Sequence, residues 1–196
     1  MILPLFPLNT VLFPDCVLDL QIFEARYLDM ITRCMKQGSG FGVVCLLEGA
    51  EAGDGEVRHA SVGCEAVVVD FNPQDNGLLG IRVKGTRRFQ VKSCEAQRDR
   101  LILGDVEYLH EFREEPLSSD EDDLLALLNA LAEHPMVAAL GMLDGARTQQ
   151  SLANQLGYLL PFLNGDKLRL LCLDDPRERL DSIQTLLDEL QGELFD

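Results

Sequence analysis

The residue types that most often do chemistry are present in this chain, but none of them stands in a catalytic spacing. The chain has no G-x-x-x-x-G-K-[ST] motif for a nucleotide, no G-x-S-x-G elbow and no H-E-x-x-H pair. Its three histidines, His59, His110 and His134, fall in or near predicted loops and element ends, where surface positions are expected. The sequence therefore predicts no catalytic residue and no enzyme.

The six cysteines could bind a metal ion if they stood close to one another or to histidine. No two of them have the C-x-x-C spacing, and His59 with Cys64 is at best a loose ligand pair. Several cysteines lie inside apolar runs, as reduced thiols of cytoplasmic proteins do. We expect buried free thiols, no metal, no cofactor and a cytoplasmic location.

Two further stretches have a composition that could bind a ligand. Residues 38–42 are glycine-rich, but they follow a predicted helix and precede a strand, whereas a phosphate cradle needs the N-terminus of a helix. From Arg82 to Arg100 there are seven basic and two acidic residues, with Phe89 the single aromatic. This basic strip is either a solvated sheet face or a local site for anions or RNA.

Charge divides the chain unevenly. The net charge is −16, and residues 1–110 hold 15 acids and 11 bases while residues 111–196 hold 18 acids and 6 bases. This asymmetry favours two subdomains. The excess of negative charge argues against general binding to nucleic acid or to an anionic membrane.

The opening stretch, residues 3–14, is mostly apolar but is interrupted by Pro4, Pro7 and Pro14. It has no basic start and no unbroken apolar run, so we expect neither a signal peptide nor a membrane span. Because proline lacks a backbone donor, we predict an edge strand up to about Leu8, then a turn, then a short strand ending at Pro14.

The remaining pattern predicts a mixed fold of the α+β class. Helical spacing covers 22–37, and short apolar or alternating runs predict strands at 41–47, 62–71, 78–85, 87–93 and 101–109. After residue 110 we predict helices, the first capped by Ser118 and Glu121, others near 148–163 and 166–173, and the last starting after Asp175 and running over 176–191. A small closed antiparallel sheet followed by a helical bundle fits this order.

Four segments resemble one known family. PLFPLNTVLFP at 4–14, IFEARY at 22–27, KGTRRF at 84–89 and LRLLCLDDPRERLDSIQTLL at 168–187 resemble, in order and spacing, the N-terminal substrate-binding domain of the ATP-dependent Lon protease. The resemblance covers nearly the whole chain. It implies a PUA-like antiparallel β pseudo-barrel with one helix at 1–112, followed by a helical bundle at 113–196.

The resemblance also implies a function. Full-length Lon continues into ATPase and protease modules, whose motifs this sequence lacks, so we expect an ATP-independent, proteolysis-associated module that binds unfolded or exposed apolar polypeptide segments. Binding is expected in a groove between barrel and bundle or at the loop 48–60. Expected partners are polypeptide substrates or a partner protease or chaperone, without a membrane, and a homodimer is a further candidate assembly. The alternative is an RNA- or nucleotide-associated module that uses the basic strip.

The candidate site residues come from the same segments. For substrate contact we expect Phe6, Phe13, Phe23 and Tyr27. The residues expected to build the family motif are Pro4, Pro7, Pro14, Glu24, Arg26, Arg88 and Phe89. We also expect Phe6, Leu12 and Phe13 to anchor the core. We expect Glu24 to form an ion pair with Arg88 that fixes the helix against the sheet.

Overall fold

The structure of the chain is a computed structural model. It describes residues 1–49, 51, 57–73, 78–142 and 146–193. These residues form two compact units, Met1–Leu109 and His110–Asp196. Residues 50 and 52–56 of the loop expected at 48–60, and the turn expected at Asn76-Gly77, lie outside the described residues.

The first unit is built from six strands and one helix in the part that is described. In chain order they are β1 (Ile2–Leu8), β2 (Val17–Ile22), α1 (Ala25–Gln37), β3 (Phe41–Glu48), β4 (Arg58–Pro73), β5 (Leu79–Ala96) and β6 (Ile102–Tyr108). With the helices of the second unit, this confirms the mixed α+β class.

The six strands form one sheet in the order β2-β5-β4-β3-β1-β6, and β5 also pairs with β6. The pairings of β1, β3, β4, β5 and β6 therefore form a closed ring, to which β2 is attached through β5. All pairs are antiparallel except β1 with β3. Closing a sheet in this way gives each of the five ring strands two neighbouring strands, although parts of β1 and β4 pair on one side only.

The prediction that β1 is an edge strand is wrong, because β1 lies between β6 and β3. The two pairings are staggered: Ile2 to Leu5 pair with β6, and Leu5 to Leu8 pair with β3. Pro4 lies in the first half and Pro7 in the second, so each proline has one neighbouring strand in the register. Each missing donor can then face the side without a partner.

The short strand expected to end at Pro14 is also absent. The stretch before Pro14 is irregular but buried, and the chain reverses at Asp15, which has a φ of 65°. The Asp15 N–H donates to the Gly85 carbonyl at 2.9 Å, and the Gly85 N–H donates to the Cys16 carbonyl at 2.9 Å. This bulge-like contact leads directly into β2, which the sequence analysis did not predict.

Helix α1 begins at Ala25 rather than at Ile22. Ile22 is the last residue of β2, opposite Leu79, and Glu24 has extended dihedral angles. Ile22 fits the helical spacing although it ends a strand, because an apolar residue is expected at a buried position of a helix or of a strand. The end of the helix is as predicted, since Gly38 takes the left-handed conformation with a φ of 62°.

The two strands expected at 78–85 and 87–93 are one long strand, β5. Its first half pairs with β2 and its second half with β6, while β4 pairs along most of its length through two register shifts. The core is as expected at its anchors, because Phe6, Leu12 and Phe13 are all buried. Phe89 is fully buried in the cluster that packs Leu3, Leu5, Val44 and Val106 together.

The second unit is helical where it is described. A short 3₁₀ turn at Ser119–Glu121 precedes α2 (Asp122–Ala132), followed by α3 (Pro135–Ala138), α4 (Gln149–Leu159), α5 (Asn164–Cys172) and α6 (Pro176–Glu193). The capping box predicted at Ser118 and Glu121 is confirmed, with the Ser118 N–H donating to Glu121 Oε2 at 2.6 Å. Asp175 accepts the Arg177 N–H at 2.8 Å, as an N-cap does. Among the described residues we find no helix with the length and apolarity that a membrane crossing requires.

Candidate functional site

A cavity of about 220 Å³ opens in the first unit where β2 meets the start of α1. We call it the aromatic cleft, and it is lined by Phe6, Leu8, Asp19, Leu20, Gln21, Ile22, Phe23, Glu24, Tyr27 and Glu51. Three of the four residues expected to contact substrate are among them.

Two aromatic rings stack in the wall of the cleft. The rings of Phe6, from β1, and Tyr27, from the first turn of α1, lie with their centroids 3.9 Å apart and their planes 20° apart. The Arg26 guanidinium lies 4.8 Å from the centre of the Tyr27 ring. Burial raises the pKa of the Tyr27 phenol, so the phenol stays uncharged at neutral pH. The stack presents a rigid apolar surface.

Phe23 stands at the mouth of the cleft and is 61% exposed. It occupies the short link between the end of β2 and the start of α1, so neither element carries its side chain into the core. Phe13, the fourth expected residue, is 0% exposed and does not line the cleft. The structure thus brings Phe6, Phe23 and Tyr27 together and leaves Phe13 in the core.

The charged residues that line the cleft are Asp19, Glu24 and Glu51. Asp19 accepts two hydrogen bonds from Arg82, at 2.7 and 2.8 Å, and Glu51 accepts one from the Asn9 N–H. The hydrogen bond from Arg82 holds the pKa of Asp19 below its ordinary value, against the opposing effect of burial. The cleft therefore has an apolar wall and a rim of acidic residues, of which Asp19 is held ionised.

The expected ion pair between Glu24 and Arg88 is wrong. Glu24 pairs instead with Arg26, whose Nη2 lies 2.7 Å from Glu24 Oε2. The local pair forms because both residues flank the start of α1, within reach of each other. Arg88 is fully buried in β5, and its carbonyl accepts the Leu109 N–H at 3.0 Å.

A second cavity, of about 700 Å³, lies between the end of α1 and the sheet. We call it the Glu65 groove, after the buried carboxylate among its lining residues. Glu65 Oε2 accepts hydrogen bonds from Thr86 at 3.2 Å and from Arg87 at 3.1 Å, and the Arg87 guanidinium lies 3.7 Å from the centre of the Tyr108 ring. Thr86 and Arg87 thus hold the Glu65 carboxylate through hydrogen bonds. Sequence analysis missed Glu65, although an acid inside an otherwise apolar strand is a signal.

Carboxylates of the first unit pair with much of the basic strip. Arg82 pairs with Asp19, and Lys84 lies 2.9 Å from Asp15. Lys92 lies 2.7 Å from a carboxylate oxygen of Glu107. These pairs leave less positive charge for phosphate than the sequence implied.

Reactive groups do not gather in the described part of the chain. No set of three His, Cys, Asp or Glu side chains there could hold a metal ion. All six cysteines are free, and four of them are buried. The chemistry of the aromatic cleft suits a ligand that places an apolar group against the aromatic wall and a positively charged group beside the acidic rim.

Comparison with known proteins gives concordant results. The model of the family described as the ATP-dependent protease La (LON) substrate-binding domain matches residues 2–189. The crystal structure of a Lon N-terminal domain protein from Xanthomonas campestris is 31% identical, with a TM-score of 0.76, and the match covers 94% of this chain and 98% of that chain. The N-terminal domain of Mycobacterium avium complex Lon protease is 20% identical, with a TM-score of 0.65 over 93% of this chain and 96% of that chain, and it supports the fold alone.

Proposed function

Because this chain belongs to the family of the Lon substrate-binding domain, we propose that it is a non-catalytic module that holds unfolded or exposed apolar segments of other polypeptides in its aromatic cleft. The substrate class and the place of binding are the proposal. Three of the residues expected for substrate contact, Phe6, Phe23 and Tyr27, line this cleft.

The observation that carries the proposal is the exposure of Phe23 beside a buried aromatic stack. A phenylalanine left 61% exposed gives up burial that the fold could otherwise use. Where such a side chain borders an apolar cavity, it is typical of a binding surface. An incoming leucine or phenylalanine would pack between Phe23 and the rings of Phe6 and Tyr27.

The size of the cleft sets the kind of recognition. About 220 Å³ accommodates one or two side chains of a segment rather than a folded domain. Full burial of one such side chain contributes about 1.5–3 kcal/mol, so each contact is weak and tolerant of sequence. Such a module would favour chains that offer many apolar segments, as unfolded proteins do.

The fold of the two parts and the cellular role are proposed on similar grounds. We propose a PUA-like pseudo-barrel at 1–112 and a helical bundle at 113–196, supported by the closed ring of strand pairings and by the helices after His110. We further propose an ATP-independent role, in the cytoplasm, beside a partner protease or chaperone. A homodimer remains a prediction. The pairing of the basic strip with local carboxylates weakens the RNA alternative.

Replacing Phe23 tests the proposal. The probe is fluorescently labelled lysozyme, reduced and carboxamidomethylated so that it stays unfolded, and the readout is fluorescence anisotropy. We expect Phe23→Ala to weaken binding about fivefold or more, the effect of losing a central aromatic contact. The matched control is Phe112→Ala, which removes another exposed phenylalanine, outside the cleft. Equal affinity of the two variants would contradict the proposal.

A further inference from the structure

We propose that the bound segment enters the aromatic cleft as an added β-strand along the free edge of β2, and that the cleft selects segments in which apolar residues alternate with lysine or arginine. This inference rests on the proposed function and adds the binding mode and the substrate class.

The first observation is that residues 19–22 of β2 have strand pairing on one side only among the described residues. Strand β2 stands at the end of the strand order and pairs with β5, and no described strand pairs with its other side. Parts of β1 and β4 also have a strand partner on one side only, but each of these strands has a second partner along the rest of its length. Edge strands are commonly blunted by proline or lysine, and Val17–Ile22 contains neither.

The second observation is the phase of the backbone. The Gly85 N–H donates to the Cys16 carbonyl at 2.9 Å, which makes these two residues a hydrogen-bonded pair at the start of the β2–β5 ladder. Hydrogen-bonded pairs alternate in an antiparallel ladder, so Leu18, Leu20 and Ile22 bond to β5. The backbone N–H and C=O groups of Asp19 and Gln21 then point away from β5, as donors and acceptors for another strand.

The third observation is that the free edge and the cleft coincide. Four of the six residues of β2, from Asp19 to Ile22, line the aromatic cleft together with Phe23. A strand hydrogen-bonded to Asp19 and Gln21 would therefore run past Phe23 and the rings behind it. Successive side chains of a strand point to opposite faces, so every second residue of the segment would enter the cleft.

The fourth observation is the charge of the cleft. Its described lining contains Asp19, Glu24 and Glu51 but no lysine or arginine. Asp19 pairs with Arg82 and Glu24 with Arg26, which lowers their negative field. The Asp19 side chain is nevertheless 53% exposed, and the Glu51 carboxylate accepts its hydrogen bond from an uncharged N–H. Positive side chains between the apolar ones would be attracted, and acidic ones would be repelled.

Backbone methylation tests strand addition without changing any side chain. The probe is a fluorescent nine-residue peptide that alternates lysine with leucine and has phenylalanine at its centre. One analogue is N-methylated at the lysine amides and another at the apolar amides. Because one edge of an added strand bonds to β2 and the other faces water, we expect one analogue to lose at least tenfold in affinity and the other to stay within twofold. Equal affinities of the two analogues would overturn the binding mode.

A pair of variants tests the same edge from the protein side. Gln21→Pro removes an outward N–H while leaving the ladder to β5, whereas Gln21→Ala removes the side chain and keeps the N–H. We expect Gln21→Pro to bind the unmethylated peptide at least tenfold more weakly and Gln21→Ala to bind within twofold of the parent. The same affinity in both variants contradicts the proposal. If Gln21→Pro does not fold, which circular dichroism would show, the methylated peptides decide.

Charge and self-association are separate arms. Changing the peptide lysines to glutamates should weaken binding at least tenfold, and no change would overturn the selection for basic residues. If β2 pairs instead with a second copy of this chain, the parent will sediment as a dimer and Gln21→Pro as a monomer, which would overturn a peptide as the occupant. If Phe23→Ala weakens binding while methylation and Gln21→Pro do not, strand addition fails and the proposed function stands.

Discussion

Asp19 joins the rim of the cleft to the sheet. Its carboxylate and the Arg82 guanidinium meet in a two-pronged pair across β2 and β5. The pair keeps the carboxylate ionised and holds β2 against its single neighbour. The contribution of this ion pair to the free energy of unfolding depends on pH, because only the ionised carboxylate accepts both hydrogen bonds.

We predict that Asp19→Asn destabilises the protein at pH 7 but not in acid. The folded pKa of Asp19 is lowered, so its stabilisation is present above the unfolded value of 3.8 and is lost as pH falls through the folded value. Since the pair is partly exposed, we expect a cost of about 0.5–1 kcal/mol at pH 7, shrinking below about pH 4. Urea unfolding at both pH values measures it. A penalty that is the same at both would show that charge is not the cause.

Gly85 permits the close approach of two chain segments. A Cβ at this position would lie 2.2 Å from the Phe13 carbonyl oxygen, a backbone atom that cannot rotate away. We predict that Gly85→Ala lowers the free energy of unfolding by about 1–3 kcal/mol. In contrast, Gly165→Ala in α5 meets no atom within 4 Å and should stabilise the helix by a few tenths to about 1 kcal/mol. Denaturant unfolding of both variants compares them, and a harmless Gly85→Ala would contradict the packing described here.

Helix α6 is fixed to α4 and α5 by one buried arginine. Arg179 Nε donates to the Leu170 carbonyl at 2.9 Å, Nη1 donates to Asn154 Oδ1 at 2.5 Å, and Nη2 donates to the Leu173 carbonyl. Two of these acceptors are carbonyls at the end of α5, and the Leu170 carbonyl also accepts the Leu173 N–H at 3.2 Å. Arg179 itself is 0% exposed.

Replacing Arg179 should therefore cost much more than its charge suggests. We predict that Arg179→Met lowers the free energy of unfolding by about 3–5 kcal/mol, because it removes the donor of three hydrogen bonds at a buried site. Arg169→Met removes an arginine with a 76% exposed side chain on the neighbouring helix and should cost less than about 1 kcal/mol. Thermal unfolding distinguishes the two, and similar losses would mean that Arg179 does not hold the helices together.

Features that depend on a few neighbouring residues could be predicted from sequence, whereas features that depend on residues far away in sequence could not. The capping box at Ser118 and the helix stop at Gly38 depend on a few neighbouring residues, and both are confirmed. The place of β1 within the sheet depends on β3 and β6, which lie far away in sequence, so its proline content alone misled the prediction. The expected pair of Glu24 with Arg88 failed for the opposite reason, because Glu24 has a local partner, Arg26, two residues away.

Some residues of the aromatic cleft could be predicted from the sequence, and others could not. Phe6, Phe23 and Tyr27 stand in the recognised segments and could be chosen from them. Asp19 and Glu51 could not, because they reach the cleft through the pairing of β2 and through a loop. Phe13 could not be told from the cleft residues by its type, and its burial is a property of the tertiary fold.

The reactivity of the six cysteine thiols depends on how deeply the fold buries each of them. Four are buried and two, Cys94 and Cys172, are exposed. Burial raises the pKa of the Cys34 and Cys45 thiols, which slows their reaction further. We predict that two thiols react rapidly with Ellman's reagent in the native protein and six react in denaturant. Rapid reaction of more than two in the native state would contradict the burial described here.

The most direct test of polypeptide binding in the cleft is hydrogen exchange, followed by mass spectrometry, with and without unfolded lysozyme. We predict that bound lysozyme slows exchange in Val17–Ile22 and at the start of α1, and that Phe23→Ala abolishes this protection. Protection confined to the Glu65 groove or to the second unit, or no protection at all at saturating lysozyme, would contradict this prediction.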